Sequence, residues 1–372
     1  MSVQIKEVLS KSDLKKFIKF PITLYKKNDC FVPPLISDEI TTLTKGKNPS
    51  LEYCQLRMWM AYEGNKIVGR IAGIIQGKEI EKKKLIRFGW IDFIDDQAVS
   101  KALIETVEDW AKTENLHGIH GPLGFTDMDF EGMLIEGFDE MATIATIYNF
   151  PYYVDHMNAL GFEKAEDWLE LEIPVPEVFP EKTQRVLDLI ANKYEVRVVP
   201  FKSAKDMLPY TDKLFKTLNR CFTELYGFNE LTQDEIDYYI KQYFDFVVPG
   251  FVIMVADKND DIVGFTVTMP SLSKAFRKAN GSLFPFGFLH VLKAVKFNTM
   301  ADLYLIGTSP EFQNKGVANI VIGEILKTYK KHGITTAYTN QMLESNTGIL
   351  NQMMKYSSNI RKRRRCFIKE IA

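Results

Sequence analysis

The chain has 372 residues, enough for about two domains that each bury a core of their own. Apolar residues make up 46%, charged residues 26%, and the net charge is -1; this composition marks an ordinary globular protein and excludes a global attraction to nucleic acid, so any anion site must be local. Cys30, Cys54, Cys221 and Cys366 lack metal-ligand or paired spacing, the start of the chain lacks a signal-peptide apolar core, and no run of ~18 apolar residues occurs, so the expectation is a cytoplasmic protein with no metal and no transmembrane segment.

In chain order, "VQIKEVLSKSDLKKFIKF" predicts a short strand, a serine cap with aspartate three residues on, and a helix. "MAYEGNKIVGRIAGII" predicts a hairpin turning at Gly64-Asn65. The next helix starts from Asp95 and Asp96 in "DDQAVSKALIETVEDW" and ends toward Gly118. Beyond it, "DMDFEGMLIEGFDE" clusters Asp127, Asp129, Glu131, Glu136, Asp139 and Glu140 without calcium-loop spacing. This cluster reads either as a solvated acidic loop or as an attractor for a cationic amine in a cleft between modules. Proline then concentrates in "EIPVPEVFPEK", which sets the expected boundary between residues 1–178 and 179–372.

The second half repeats the first. "YEVRVVPFKSAKDMLPYT" answers the opening strand, serine cap and helix, and "MVADKNDDIVGFTVTM" answers the hairpin, with Gly264 lying 195 residues after Gly69. Gly333 lies 215 residues after Gly118, so about 20 residues are added between, visible as Ser271 to Phe297, "SLSKAFRKANGSLFPFGFLHVLKAVKF". That insert is expected either to cover the module interface or to wall an apolar substrate; its one histidine, His290, reads as a packed residue or a general base. Each half therefore predicts an α/β (α+β) unit, a mixed, mostly antiparallel sheet with helices on both faces.

The halves differ where "DLYLIGT" runs through "SPEFQNKGVA" into a helix. A helix N-terminus has orphan N–H groups and partial positive charge, small residues at 316 and 318 let an anion approach, and Lys315 adds charge. A flexible helix start is the alternative. Asp95 and Asp96 at the matching place in the first half would repel a phosphate.

Gln313, Gly316 and Ala318 form Gln-x-x-Gly-x-Ala between a strand and a helix. On this turn the second half resembles the GNAT superfamily of acyl-CoA-dependent N-acyltransferases, and "YNFPYYVDHMNALGFEKAEDWLELEI" extends the resemblance to the first half. "GPLGFTDMDFEGMLIEGFDE" and "GSLFPFGFLHVLKAV" are similar to a bacterial family of paired GNAT-like modules, with relatives that act as ceramide synthases on long-chain amino bases. The resemblance implies that acetyl-CoA or a longer acyl-CoA is the donor and an amine the acceptor, a lipid-like one in the ceramide-forming alternative. It implies that Gln313, Asn314, Lys315, Gly316, Val317 and Ala318 cradle the pyrophosphate, that Leu305, Ile306 and Gly307 line the pantetheine edge, and that the Ile306 N–H meets the oxyanion.

Where many members carry a tyrosine proton donor, seven residues after Asn346, this chain has Met353. Tyr356 and Tyr338 are the remaining candidates, with half-buried packing as their alternative role. Glu344, Ser345 and Asn346 are expected either to bind the amine or to cap the late helix. A protein that senses acyl-CoA without turning it over is the rival reading, followed by a transferase using acyl carrier protein or aminoacyl-tRNA. The run "RKRRR", Arg361 to Arg365, is expected to form a solvated edge or to touch coenzyme or lipid phosphates rather than nucleic acid.

Overall fold

A computed structural model describes residues 2–243, 246–357 and 359–371. The first half contributes β1 (Val3–Glu7), β2 (Cys54–Glu63), β3 (Lys66–Gln76), β4 (Leu85–Phe93), β5 (Gly118–Gly121), β6 (Met133–Glu136) and β7 (Glu163–Pro174). The second contributes β8 (Arg197–Val198), β9 (Val252–Ala256), β10 (Ile262–Pro270), β11 (Met300–Thr308), β12 (Thr336–Thr339), β13 (Met342–Leu343) and β14 (Asn359–Glu370). The fold is mixed α/β, with helices packed on both faces of the sheet.

The caps and hairpins form as their residues dictate. The Ser10 hydroxyl accepts from the Asp13 N–H at 3.1 Å, and Ser203 with Asp206 makes a reciprocal capping box. β2–β3 and β9–β10 are antiparallel pairs joined at the expected turns. β3 is apolar on both sides because both sides are covered: Val68, Ile71 and Ile75 meet the helix Gln97–Thr113, whereas Ala72 and Ile74 meet the helix Lys11–Leu24. The repeated glycine has a packing cause. A Cβ on Gly69 would come within 2.7 Å of Leu103, and one on Gly264 within 2.7 Å of Val317, so in each half the helix seats directly on the strand backbone.

The two halves do not keep separate sheets. The strand order is β1-β2-β3-β4-β5-β14-β7-β12-β11-β10-β9-β8, one continuous sheet in which the halves exchange their closing strands. β14 pairs antiparallel with β5 and β7, and β7 pairs antiparallel with β12.

This exchange overturns the expectation for "RKRRR" as a solvated edge or phosphate contact. The run lies inside β14, and the acidic strand β7 beside it neutralises it. Arg364 Nε donates to Glu170 at 2.5 Å and Lys362 Nζ lies 3.5 Å from the same carboxylate, all three side chains being fully buried. On the other face Arg365 makes a bidentate pair with Asp167 at 2.8 and 3.0 Å, and Arg363 donates to Glu344 at 2.6 Å. Burial pushes the Glu170 carboxyl up, but Lys362 and Arg364 outweigh it and hold the group below its usual range. A basic strand between the halves thus reads as the mate of an acidic one.

Candidate active site

β11 and β12 begin as parallel neighbours, Met300 beside Thr336 through Leu303 beside Thr339. The Asn340 N–H donates to the Leu303 carbonyl at 2.7 Å, and there the ladder stops. β12 turns away, so that Met342 and Leu343 of β13 pair with β7, while β11 continues to Thr308 against β10 alone. A bulge accompanies the parting: Val267 faces Leu305 and Thr268 faces Leu303, leaving Tyr304 as the extra residue. Beyond it the Ser309 N–H points toward β10, donating to Val263 at 2.9 Å, and alternation back along the strand directs the Ile306 N–H and C=O to the open edge.

At the end of β11 the chain makes a single turn of tight helix, Pro310–Phe312, and enters the helix Val317–Lys331 through Asn314 at φ +59° and Gly316 at φ +84°. Gly316 is the N-cap and no side chain caps the helix; its carbonyl accepts from Asn319 at 3.0 Å and Ile320 at 3.3 Å. Gln313, Asn314 and Lys315 are exposed, Gly316 and Ala318 are half-buried, and the Val317 side chain is fully buried, so Val317 offers this surface only its backbone.

Behind the open edge lies a cavity of about 270 Å³. Leu303 to Ile306 form one wall, Asn340 to Leu343 another, and Met207, Leu214, Phe215, Val252 and Met254 an apolar floor. The opposite wall comes from the first half and carries Asp127, Asp129 and Glu131, together with Trp168 from β7. The sheet does not merely join the halves; it brings the acidic loop of one to the strand edge of the other.

Burial dominates the electrostatics of this wall. It pushes the Asp127 carboxyl up to about 7, against the pull of Arg87, and pushes Glu131 well above its usual range, with Asp127 adding to the effect. Asp129 rises only to about 6, because the backbone N–H groups of Thr126 and Phe125 hydrogen-bond its carboxylate. Asp127 Oδ1 and Asn340 Oδ1 are buried polar atoms without a protein partner, and both residues line the cavity.

The sequence-derived candidates divide accordingly. Leu305, Ile306 and Asn346 line the cavity. Gly307 faces β10, where a Cβ would come within 2.7 Å of Phe265. Tyr338 lies in the β12 ladder with the Arg361 guanidinium 3.9 Å above its ring, and Tyr356 packs half-buried against the core of the second half; neither lines the cavity. Met353 is fully buried in that same core. Of the acidic loop, Asp127, Asp129 and Glu131 come together, whereas Glu140 pairs with Arg361 and Glu136 lies 3.5 Å from Arg363. Ser345 and Asn346 do not cap the late helix through their side chains, Asn346 standing at its N-cap without such a bond. Reading by residue type missed Tyr304 and Asn340. The signal for both is positional, since one is the bulge and the other the point of departure from the ladder. Among the described residues no group of His, Cys, Asp and Glu is arranged to hold a metal ion.

The first half handles the same positions differently. Its helix Gln97–Thr113 is capped by Asp96, whose carboxylate accepts from the Ala98 N–H at 2.7 Å. At the end of β4 the Phe93 N–H donates to the Tyr153 hydroxyl at 2.8 Å and the Phe93 carbonyl accepts from Tyr152 at 2.5 Å, with the Tyr153 ring stacked 4.1 Å from Phe93.

No family model matches the chain. It is 28% identical over 376 residues to Protein YghO of Escherichia coli K12, an alignment covering 99% of this chain and 95% of that one. It is 24% identical over 340 residues to the bacterial ceramide synthase of Caulobacter vibrioides, covering 89% and 87% of the two chains. Among solved structures it is similar to a tandem GNAT protein from the clavulanic acid biosynthesis pathway, with a TM-score of 0.57, 11% identity and coverage of 100% and 99%. It is also similar to a GCN5-related N-acetyltransferase from Sphaerobacter thermophilus, with a TM-score of 0.52, 10% identity and coverage of 99% and 96%.

Proposed function

We propose that this chain, a protein of two tandem GNAT-like modules, transfers an acyl group from an acyl-CoA to the nitrogen of an amine that carries an apolar chain. The observation that carries the reading is the cavity, which joins the open edge of β11 to the carboxylates of Asp127, Asp129 and Glu131 in the first half. On this reading residues 179–372 bind the donor and residues 1–178 supply the acceptor wall.

The residues present fit such a donor. The uncapped helix start at Gly316, with Lys315 beside it, suits a pyrophosphate, and the unpaired edge from Tyr304 to Thr308 suits an arm that hydrogen-bonds as an added strand would. The donor supplies an activated carbonyl. The Ile306 N–H faces the edge where negative charge would gather on the acyl oxygen, and a donor fixed there by the strand lowers that barrier. An ammonium entering the cavity would find Asp127, with Asp129 and Glu131 beside it, and must give up a proton before its nitrogen can form the amide bond. Asp127, raised to about 7, is matched to accept that proton near neutrality. The departing sulfur regains a proton easily, which lessens the need for the tyrosine that Met353 replaces.

The apolar floor supports a substrate with a long hydrocarbon chain, and the relative named a bacterial ceramide synthase points the same way, toward a long-chain amino base. The test is release of coenzyme A thiol from palmitoyl-CoA in the presence of sphinganine, with wild type and Asp127→Asn. Thiol release that requires the amine and falls sharply in the variant supports the reading. Donor binding without any release would favour a sensing role instead.

A further inference from the structure

The insert from Ser271 to Phe297 forms two helices, Ser273–Ala279 and Gly287–Lys296, and only one side of it is packed. Leu272, Ala275, Phe276 and Val291 are buried against Tyr25, Phe31, Val32 and Leu35 of the first half. The other side bears Phe284 at 78% exposure, Phe286 at 70%, Phe297 at 69%, Leu292 at 60% and Leu289 at 50%. These residues make an apolar surface that water does not favour, and they contrast with the buried aromatic residues of the rest of the chain. His290 is exposed in the midst of them, neither packed nor at the cavity.

We infer that this face docks on the surface of a bilayer containing anionic lipid. Two observations select that occupant. The first is charge: Lys274, Lys278, Lys293 and Lys296 lie in a stretch that contains no Asp or Glu at all, and among the described residues only its arginine, Arg277, is taken up by an acidic partner, Asp29. Lys293 and Lys296 stand on the same helix as the exposed Leu289 and Leu292, the arrangement of an interfacial helix whose apolar side enters the acyl boundary while its lysines meet headgroup phosphates. A second copy of the chain would, in a two-fold interface, set this basic patch against itself. The second observation is position. Phe276 of the insert lines a smaller cavity of about 70 Å³ that shares Met128, Asp129, Ile144, Ala145 and Tyr243 with the main one. Phe276 belongs to the packed side, so the insert covers this smaller cavity while Phe284, Phe286, Leu289, Leu292 and Phe297 stay on its outer side; docking would hold the cover of the acceptor wall against the membrane. Among the described residues no helix is long and apolar enough to cross a membrane, so the chain rests on the surface through this face. The inference stands on the surface of the insert and does not depend on acyl transfer.

The experiment is sedimentation of the full chain with phosphatidylcholine vesicles, with and without a third of phosphatidylglycerol, for wild type, Phe284→Ser with Phe286→Ser, and Lys293→Glu with Lys296→Glu. Wild type should bind the anionic vesicles, more weakly as salt rises, and each double variant should bind at least about tenfold more weakly. Since all four side chains are exposed, both variants should melt at the wild-type temperature. Absence of wild-type binding, binding indifferent to both variants, or a concentration-dependent dimer that both variants abolish would overturn the inference.

Discussion

The two halves meet the same local problem, a strand edge with spare hydrogen-bonding groups beside a helix N-terminus, and answer it in opposite ways. In the first half Tyr152 and Tyr153 satisfy the end of β4, and Asp96 caps the helix. In the second half the edge of β11 stays open beyond Leu303 and Gly316 leaves the helix uncapped. Duplicated architecture thus need not mean duplicated function. The half that fills its own cleft is free to serve as a wall, and it places Asp127, Asp129 and Glu131 across from the half that does not.

The largest effect should come from the wall itself. Asp127→Asn should lower turnover by about 10²–10⁴-fold and remove the fall in rate expected of wild type as pH drops below about 7. Its effect on stability has the opposite sign. Asp127 rises from 3.8 in the unfolded chain to about 7 when folded, so the folded state binds the extra proton between those values and loses stability as pH rises through them. The variant should therefore be the more stable protein at pH 8, by at most about 4 kcal/mol, with the advantage shrinking below pH 7. Urea denaturation at pH 8 and pH 5 reads this directly.

The seam comes next. Glu170→Gln leaves Lys362 and Arg364 buried without their counter-charge and should cost about 3–5 kcal/mol, read from the denaturation midpoint. Because β7 and β14 each close the other half, both halves should unfold together; separate transitions would contradict the strand exchange.

The filled cleft is tested more gently. Tyr153→Phe orphans the buried Phe93 N–H and should cost about 1–3 kcal/mol without changing donor affinity. Smallest is Asp96→Ala, which removes one cap for about 1 kcal/mol and should likewise leave donor binding untouched. Loss of donor affinity in either variant would mean that the first half binds it too.

Much of this architecture was legible. Periodicity, Ser10 and Ser203 caps, both hairpin turns and the glycine spacing are local signals, and local signals survive in the fold because the packing agrees with them. The turn at Gly316 and the contrast with Asp96 were readable for the same reason. The strand exchange was not, since the pairing of β14 with β5 and β7 is a long-range choice that hydrophobic pattern does not encode. Its trace was the match between "EDWLELE" and "RKRRR", which makes sense only once the strands are neighbours. The acidic residues cluster visibly in the sequence, but spacing alone does not separate Asp127 and Glu131, which line the cavity, from Glu136 and Glu140, paired with arginines. The insert's apolar pattern likewise looked the same whether it was to face protein or solvent.

The most direct test of the account is calorimetric binding of palmitoyl-CoA to wild type and to Gly316→Glu. The substituted residue would occupy a left-handed backbone position at about 1–2 kcal/mol of strain, bring its Cβ within 2.8 Å of the Ile190 side chain, which must shift, and place a carboxylate at the helix start, as Asp96 does in the first half. The account predicts one donor site per chain in wild type and at least about a hundredfold weaker binding in a variant that still melts cooperatively. Two sites in wild type, or one whose affinity the substitution leaves unchanged, would contradict the claim that the second half alone kept its cleft for the donor.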